Sequence, residues 1–241
     1  LVPLFTGWPD QGLAYDVALN TATWLAVVIY FRQDIVDLTK GFFRTLVERR
    51  LEGNHNGALA WMALAATIPV GIAGVLAHDL VAGPLRSLEI IGWSSIIWGF
   101  VLWAADRRPG SKDIGRIGWK ETIFVGLAQA VALIPGTSRS GITITAGLFA
   151  GLSRTAAARF SFLLAMIVGA LAGGKEGLDM VQAAEATPWA AVLVGGAVAF
   201  VSAYLAIHYF LKLISRSSMV SFVVYRVVLG VVLLAFAYKL V

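Results

Sequence analysis

Apolar runs of helix-spanning length alternate along the chain with short polar segments, and the runs lack the in/out alternation of a transmembrane strand. Six runs predict full spans, over 17–31, 58–77, 90–105, 160–172, 189–211 and 219–238. Between Lys120 and Ser153 the pattern changes: an apolar piece over 121–134, the polar "PGTSRSG", and a second apolar piece over 142–152. Neither piece exceeds fourteen residues. That many residues of helix rise only about 21 Å against a hydrocarbon core of roughly 30 Å, so neither crosses alone. A re-entrant helix-loop-helix over 121–152 is predicted, within an all-α polytopic membrane bundle.

The positive charges test this layout, because retained cytoplasmic segments hold an excess of lysine and arginine. The loop after residue 31 carries Arg32, Lys40, Arg44, Arg49 and Arg50, and the one after 105 carries Arg107, Arg108, Lys112, Arg116 and Lys120; both are expected inside. The segment 78–89 has only Arg86, and the stretch before residue 17 has Asp10 and Asp16 but no base; both are expected outside. A hairpin that enters and leaves on the cytoplasmic side puts Arg154, Arg159, Lys212 and Arg216 inside, and an acidic loop with Glu176, Asp179 and Glu185 outside. A full crossing would reverse every later loop.

A cytoplasmic hairpin followed by three spans mirrors three spans that start on the opposite face. The expected organisation is therefore one integral membrane domain over 1–241, with 1–105 the remainder of a first inverted repeat and 121–241 the second. The chain begins without methionine. By symmetry a second hairpin is expected ahead of Leu1, supplying half of a site where the two broken elements meet near the midplane.

Composition agrees. Hydrophobic residues make up 59% of 241 and charged ones 14%, and the mean hydropathy is +0.80, too apolar for a soluble globule. The absence of cysteine excludes disulfides, thiolate metal sites and thiol nucleophiles. The net charge of +5 lies in short loops beside apolar runs, so it orients the chain and does not point to nucleic acid.

The candidate chemistry sits in "PGTSRSG". Irregular backbone at membrane depth survives only where it is buried in protein or lines a wet cavity. Arg139 offers a planar fork of donors matched to phosphate or carboxylate, and an intramembrane charge is costly enough to be functional by default. Thr137, Ser138 and Ser140 add hydroxyls, Gly136 and Gly141 let backbone approach a ligand, and the helix starting after the turn aims its positive end at the same spot. The plainer reading is a polar helix break whose arginine only pairs with a carboxylate; four anion-favouring features within seven residues outweigh it. Gln129 either reaches the same cavity or hydrogen-bonds a neighbouring helix. His55, His78 and His208 are scattered and predict no metal cluster. Arg226 is expected to snorkel to the cytoplasmic interface, and Trp93, Trp98, Trp103, Trp119 and Trp189 to be span residues or belt anchors.

The runs "GLAQAVALIPGTSRSG" (126–141), "GLSRTAAARFSFLLA" (151–165) and "FVVYRVVLG" (222–230) resemble the undecaprenyl pyrophosphate phosphatase family of bacteria, also called bacitracin-resistance proteins, and the likeness extends across the whole chain. Met166 and Ile167 stand where the family usually has proline after "FSFLLA". The resemblance implies an enzyme that removes the terminal phosphate of undecaprenyl pyrophosphate with a divalent cation, Mg2+ or Ca2+. Arg139 and Ser138 would be catalytic, and Gly136, Thr137, Ser140, Gly141 and Gln129 would bind phosphate. It further implies a multi-pass protein of the bacterial inner membrane with its site facing the periplasm or cell exterior. Its partners would be the polyprenyl diphosphate lipid and the bilayer, not nucleic acid, and a homodimer is one assembly open to it. The family's first motif, E-x-x-x-E followed by P-V-S-S-T-G-H, has no match here. The metal carboxylates, a candidate nucleophilic serine and a histidine are thus expected upstream of Leu1, and residues 1–241 alone are expected to be inactive. The rival reading is a transporter or flippase of polyprenyl phosphate lipids, since inverted repeats with broken helices also mark transporters.

Overall fold

The computed structural model describes residues 13–182 and 189–239. They form ten α-helices: α1 Leu13–Tyr30, α2 Arg32–Glu48, α3 His55–Leu76, α4 His78–Ala82, α5 Leu88–Asp106, α6 Trp119–Ala130, α7 Arg139–Phe149, α8 Arg154–Gln182, α9 Trp189–Ile214 and α10 Val220–Ala237. Five of them are long and apolar enough to cross a membrane: α3, α5, α8 over Arg154–Gly174, α9 and α10. The protein is an all-α, multi-pass membrane bundle. These five coincide with five of the expected spans, and the sixth, over 17–31, falls largely in the 18-residue α1.

The helices start where the sequence supplies caps. Asn54 accepts from Gly57 N–H at 3.0 Å at the head of α3, Ser87 Oγ accepts from Ile90 N–H at 3.3 Å at α5, and Glu121 reaches back to Gly118 N–H at 3.0 Å at α6.

The chain divides into two compact units. One joins residues up to 35 with 168–210 and holds α1 and most of α9, where Tyr30 meets Tyr204 edge-on at 5.3 Å and its hydroxyl lies 3.5 Å from His208 Nδ1. The other joins 36–167 with 211–241 and holds the hairpin. There α10 packs along α5, α6 packs along α3, and α7 is held between α5 and α6. Small residues make these crossings close. Gly92, Ser95 and Gly99 form the buried stripe of α5, while Trp93, Ile97 and Phe100 on its other side are exposed, the pattern of a helix with one face to protein and one to lipid.

Two expectations are corrected. The basic segment after residue 31 is not a loop but helix α2. Gly41 and Thr45, one turn apart, are buried against α3, where Trp61 Nε1 donates to Thr45 Oγ1 at 3.0 Å and Asn54 Nδ2 to the Gly41 carbonyl at 2.9 Å. Phe43 and Val47, also one turn apart, are 60% and 84% exposed. A helix with one packed stripe and one outward apolar stripe is not revealed by a count of its charges. Glu176 and Asp179, expected in an external loop, belong to α8, which continues to Gln182; Glu185, with Asp10 at the other end of the chain, lies outside the described residues.

Candidate functional site

The predicted broken hairpin is present. Helix α6 ends at Ala130 and tightens into a 3-10 turn over Val131–Leu133, and Ile134 turns extended at φ −73°, ψ 117°. After Pro135 and Gly136 the chain re-enters helix at Arg139, with Ser138 as the N-cap. The second helix thus starts three residues before the apolar piece read from the sequence.

Gly136 has a φ of +88°, and a methyl group there would overlap the carbonyl oxygen of Ile91 in α5. Only glycine fits both the dihedral and the gap. Its carbonyl accepts from Arg226 Nη2 of α10 at 3.0 Å and lies 3.2 Å from Ser95 Oγ of α5, whose single proton it shares with the nearer Ile91 carbonyl at 2.8 Å. Ser138 also has a positive φ, +68°, rare for a residue with a Cβ. It is held there because its Oγ accepts from Gly141 N–H at 3.2 Å and its carbonyl from Ile142 N–H at 2.9 Å. Strain of this kind persists where surroundings over-determine it, and it concentrates at functional sites. Ser140 Oγ lies 3.4 Å from Ser138 Oγ.

These bonds leave particular donors unspent. The Arg139 side chain is exposed, and no described residue hydrogen-bonds or ion-pairs with its guanidinium. The Thr137 hydroxyl is fully buried without a partner in the structure. The first N–H groups of α7 have no intrahelical acceptor, as at any helix start, and the helix dipole adds positive potential there. The carbonyl of Arg139 is fixed from behind by Thr143 Oγ1 at 2.9 Å, itself 2.7 Å from Ser161 Oγ of α8.

Arg226 is a correction. Instead of snorkelling to an interface it is buried, at 4% exposure, with Nη2 on Gly136 and Nη1 so close that a methyl group at Gly141 would lie 2.8 Å from it. Its Nε has no partner, and no described acid pairs with it. The missed signal is depth: Arg226 stands six residues into α10, about 9 Å of helix past its start, inside the apolar run "FVVYRVVLG". Gln129 is fully buried and donates from Nε2 to the Ala66 carbonyl of α3 at 3.3 Å, so it ties α6 to α3, the second of its two expected roles. Thr137, Ser138, Arg139, Ser140 and Gly141 come together with Gly136 in one turn; Gln129 is a helix contact behind it. Trp93, Trp103, Trp119 and Trp189 face outward, as belt residues do.

Two arginines, one exposed and one buried, and a helix N-terminus therefore converge on a seven-residue turn without a compensating carboxylate among the described residues. That arrangement suits an anion, and a phosphate above all.

The family model of the bacitracin resistance protein BacA matches residues 1–232. The chain belongs to the BacA family. Curated relatives include an undecaprenyl-diphosphatase of Teredinibacter turnerae, 50% identical over 228 residues that cover 94% of this chain and 86% of that protein. An undecaprenyl-diphosphatase 2 of Stutzerimonas stutzeri is 47% identical over 238 residues, 97% of this chain and 87% of that protein. A third, from Thioalkalivibrio sulfidiphilus, is 48% identical over 236 residues, 97% and 88% of the two chains. The divalent cation expected from the family resemblance does not find its ligands at the polar turn: among the described residues no group of three or more His, Asp or Glu side chains could hold a metal.

Proposed function

We propose that this BacA-family protein is an undecaprenyl-diphosphate phosphatase and that the 135–141 turn binds the diphosphate. The reaction joins a water oxygen to the terminal phosphorus and breaks that phosphorus's bond to the bridging oxygen. It releases inorganic phosphate and leaves undecaprenyl phosphate. Charge on the transferring group and the departing oxygen must be neutralised in a place that excludes bulk water. Arg139 can grip two phosphoryl oxygens at once, Ser140 and the first N–H groups of α7 add neutral donors, and Ser138 holds the helix start open toward them. Arg226 shapes the turn through the Gly136 carbonyl and adds its charge from behind. The described residues offer no ligand set for the cation.

The single observation that carries this reading is the Arg139 guanidinium, unpaired among the described residues, at the N-terminus of a helix broken in mid-hairpin. The test is phosphate release from undecaprenyl diphosphate by the full-length protein in detergent. Hydrolysis supports the enzyme; transbilayer movement of the lipid in vesicles without hydrolysis would replace it by the flippase reading.

The charge pattern further supports a hairpin base in the cytoplasm, and membership of the BacA family supports a bacterial inner-membrane location with the site open toward the periplasm or cell exterior. Cysteines introduced by Ser111→Cys and Ser218→Cys are expected to react with an impermeant reagent from the cytoplasmic side alone. Labelling of the two from opposite faces would turn the hairpin into a crossing.

A further inference from the structure

The last residue of α5 breaks a local rule. An acid at a helix C-terminus meets the negative end of the macrodipole, and Asp106 is in addition buried, at 5% exposure. Its surroundings offset that cost. Oδ1 accepts from Arg154 Nε at 2.5 Å, the Asp106 carbonyl accepts from Arg154 Nη2 at 3.2 Å, and Oδ2 accepts from Met219 N–H at 2.8 Å. Arg154 opens α8 and Met219 is the N-cap of α10. One carboxylate therefore sits at the N-terminal ends of two helices, where an anion is favoured.

Those two helices are the ones that hold the anion turn. Seven residues beyond Met219, Arg226 donates to the Gly136 carbonyl at 3.0 Å. Seven residues beyond Arg154, Ser161 lies 2.7 Å from Thr143 Oγ1, which donates to the Arg139 carbonyl at 2.9 Å. A third line runs through α5 itself, whose Ser95 Oγ lies 3.2 Å from the Gly136 oxygen while also bonding the Ile91 carbonyl at 2.8 Å. Both arms from Asp106 have the same length, about 10 Å of helix, and all three lines end on the two carbonyls that bracket 136–139. A slip of α8 or α10 along α5 would be passed to the turn, and displacements near 1 Å at a phosphate grip are costly.

We propose that Asp106 is a positioning residue for the phosphatase site: it locks the axial register of α8 and α10 against α5 and so sets where Arg139 and Arg226 stand. The inference rests on the phosphatase reading. Its test is the double variant Asp106→Asn with Arg154→Met in the full-length protein. The variant removes both charges together, leaves an amide oxygen for Met219 N–H, and avoids a buried unpaired arginine. Melting temperature, kcat and KM for undecaprenyl diphosphate, and pyrophosphate affinity by thermal shift are measured. A positioning role predicts a folded double variant whose KM and pyrophosphate dissociation constant both rise at least about fivefold. Asp106→Glu, which keeps the carboxylate, regains part of the loss, and Arg154→Lys, which keeps the charge but loses the two-pronged contact, shows a smaller shift in the same direction. A folded double or Arg154→Lys variant whose KM, kcat and pyrophosphate affinity all stay within twofold of the parent overturns the proposal and leaves a merely structural ion pair. A parent protein that releases no phosphate would instead overturn the functional reading, and pyrophosphate affinity would still report on the lock.

Discussion

Helix α7 is entered and left through a glycine at the same φ of +88°, Gly136 before it and Gly151 after it, yet the two turns are built in opposite ways. At the Gly151 end the backbone spends its donors inward. Gly151 N–H bonds Leu148 at 3.0 Å, Leu152 N–H bonds Gly147 at 3.0 Å, Lys112 N–H bonds the Gly151 carbonyl at 3.1 Å and Ser153 N–H returns to Lys112 at 2.9 Å. The Lys112 ammonium then closes on Glu121 at 2.6 Å, tying this end to the head of α6. At the Gly136 end the glycine carbonyl accepts from Arg226 and lies within reach of Ser95, but the Arg139 guanidinium and the Thr137 hydroxyl have no partner among the described residues. One backbone conformation thus makes a closed scaffold where a neighbouring strand of chain supplies partners, and an open turn where donors are left over.

The sharpest way to break this comparison is to put the same methyl group at both ends. Gly136→Ala meets a disfavoured φ and the Ile91 carbonyl together, a cost of about 2–5 kcal/mol, and phosphate release is expected to fall at least about a hundredfold. Arg139→Lys comes next: a point charge cannot reproduce a two-pronged grip, so kcat/KM drops at least about tenfold with the melting temperature unchanged. Near-parent turnover would make Arg139 architectural. Gly151→Ala meets only the dihedral cost, since the nearest atoms to the added methyl are the flexible Lys112 side chain at 3.9 Å. It should lower stability by about 1–2 kcal/mol, seen as a lower melting temperature, and leave the kcat/KM of the folded protein within about threefold. Equal losses of activity for the two glycines would erase the distinction between scaffold and site.

The smallest effect concerns pH at the scaffold end. The hydrogen bond from Lys112 holds the Glu121 carboxyl below its ordinary range. A carboxyl depressed in the folded state stabilises above its unfolded pKa, and that contribution fades as pH falls through the folded value. Because the lysine is half exposed, the pair contributes under about 1 kcal/mol. Glu121→Gln, which can still accept from Gly118 N–H, should therefore lower the melting temperature slightly at neutral pH and flatten its decline on acidification. A variant that declines as steeply as the parent would place the acid sensitivity elsewhere.

Much of this was legible from residue order. Hydropathy located five of the spans, and the length of the two pieces in 121–152 showed that neither is a span by itself, because helical rise and bilayer thickness are fixed. "PGTSRSG" marked the helix break, since proline and glycine interrupt a helix and Ser138 caps the next one. Helix α2 was missed because its basic residues were counted for sidedness while its two faces, Gly41 with Thr45 and Phe43 with Val47, show only when the residues are wound onto a helix. Nothing in the residue order around Asp106 tells which distant groups its carboxylate meets.

What the sequence by itself determined is therefore the local part: where apolar stretches run, where they break, which side the bases favour, and which residue types crowd the break. Tertiary structure alone decided that Arg226 leaves the expected interface for the Gly136 carbonyl, that Gln129 turns to Ala66 and away from the turn, and that Asp106 gathers the starts of α8 and α10. These contacts join residues 90, 63, 48 and 113 positions apart. Which distant donor meets which acceptor depends on how helices pack, because a buried polar group takes the partner that packing brings within reach.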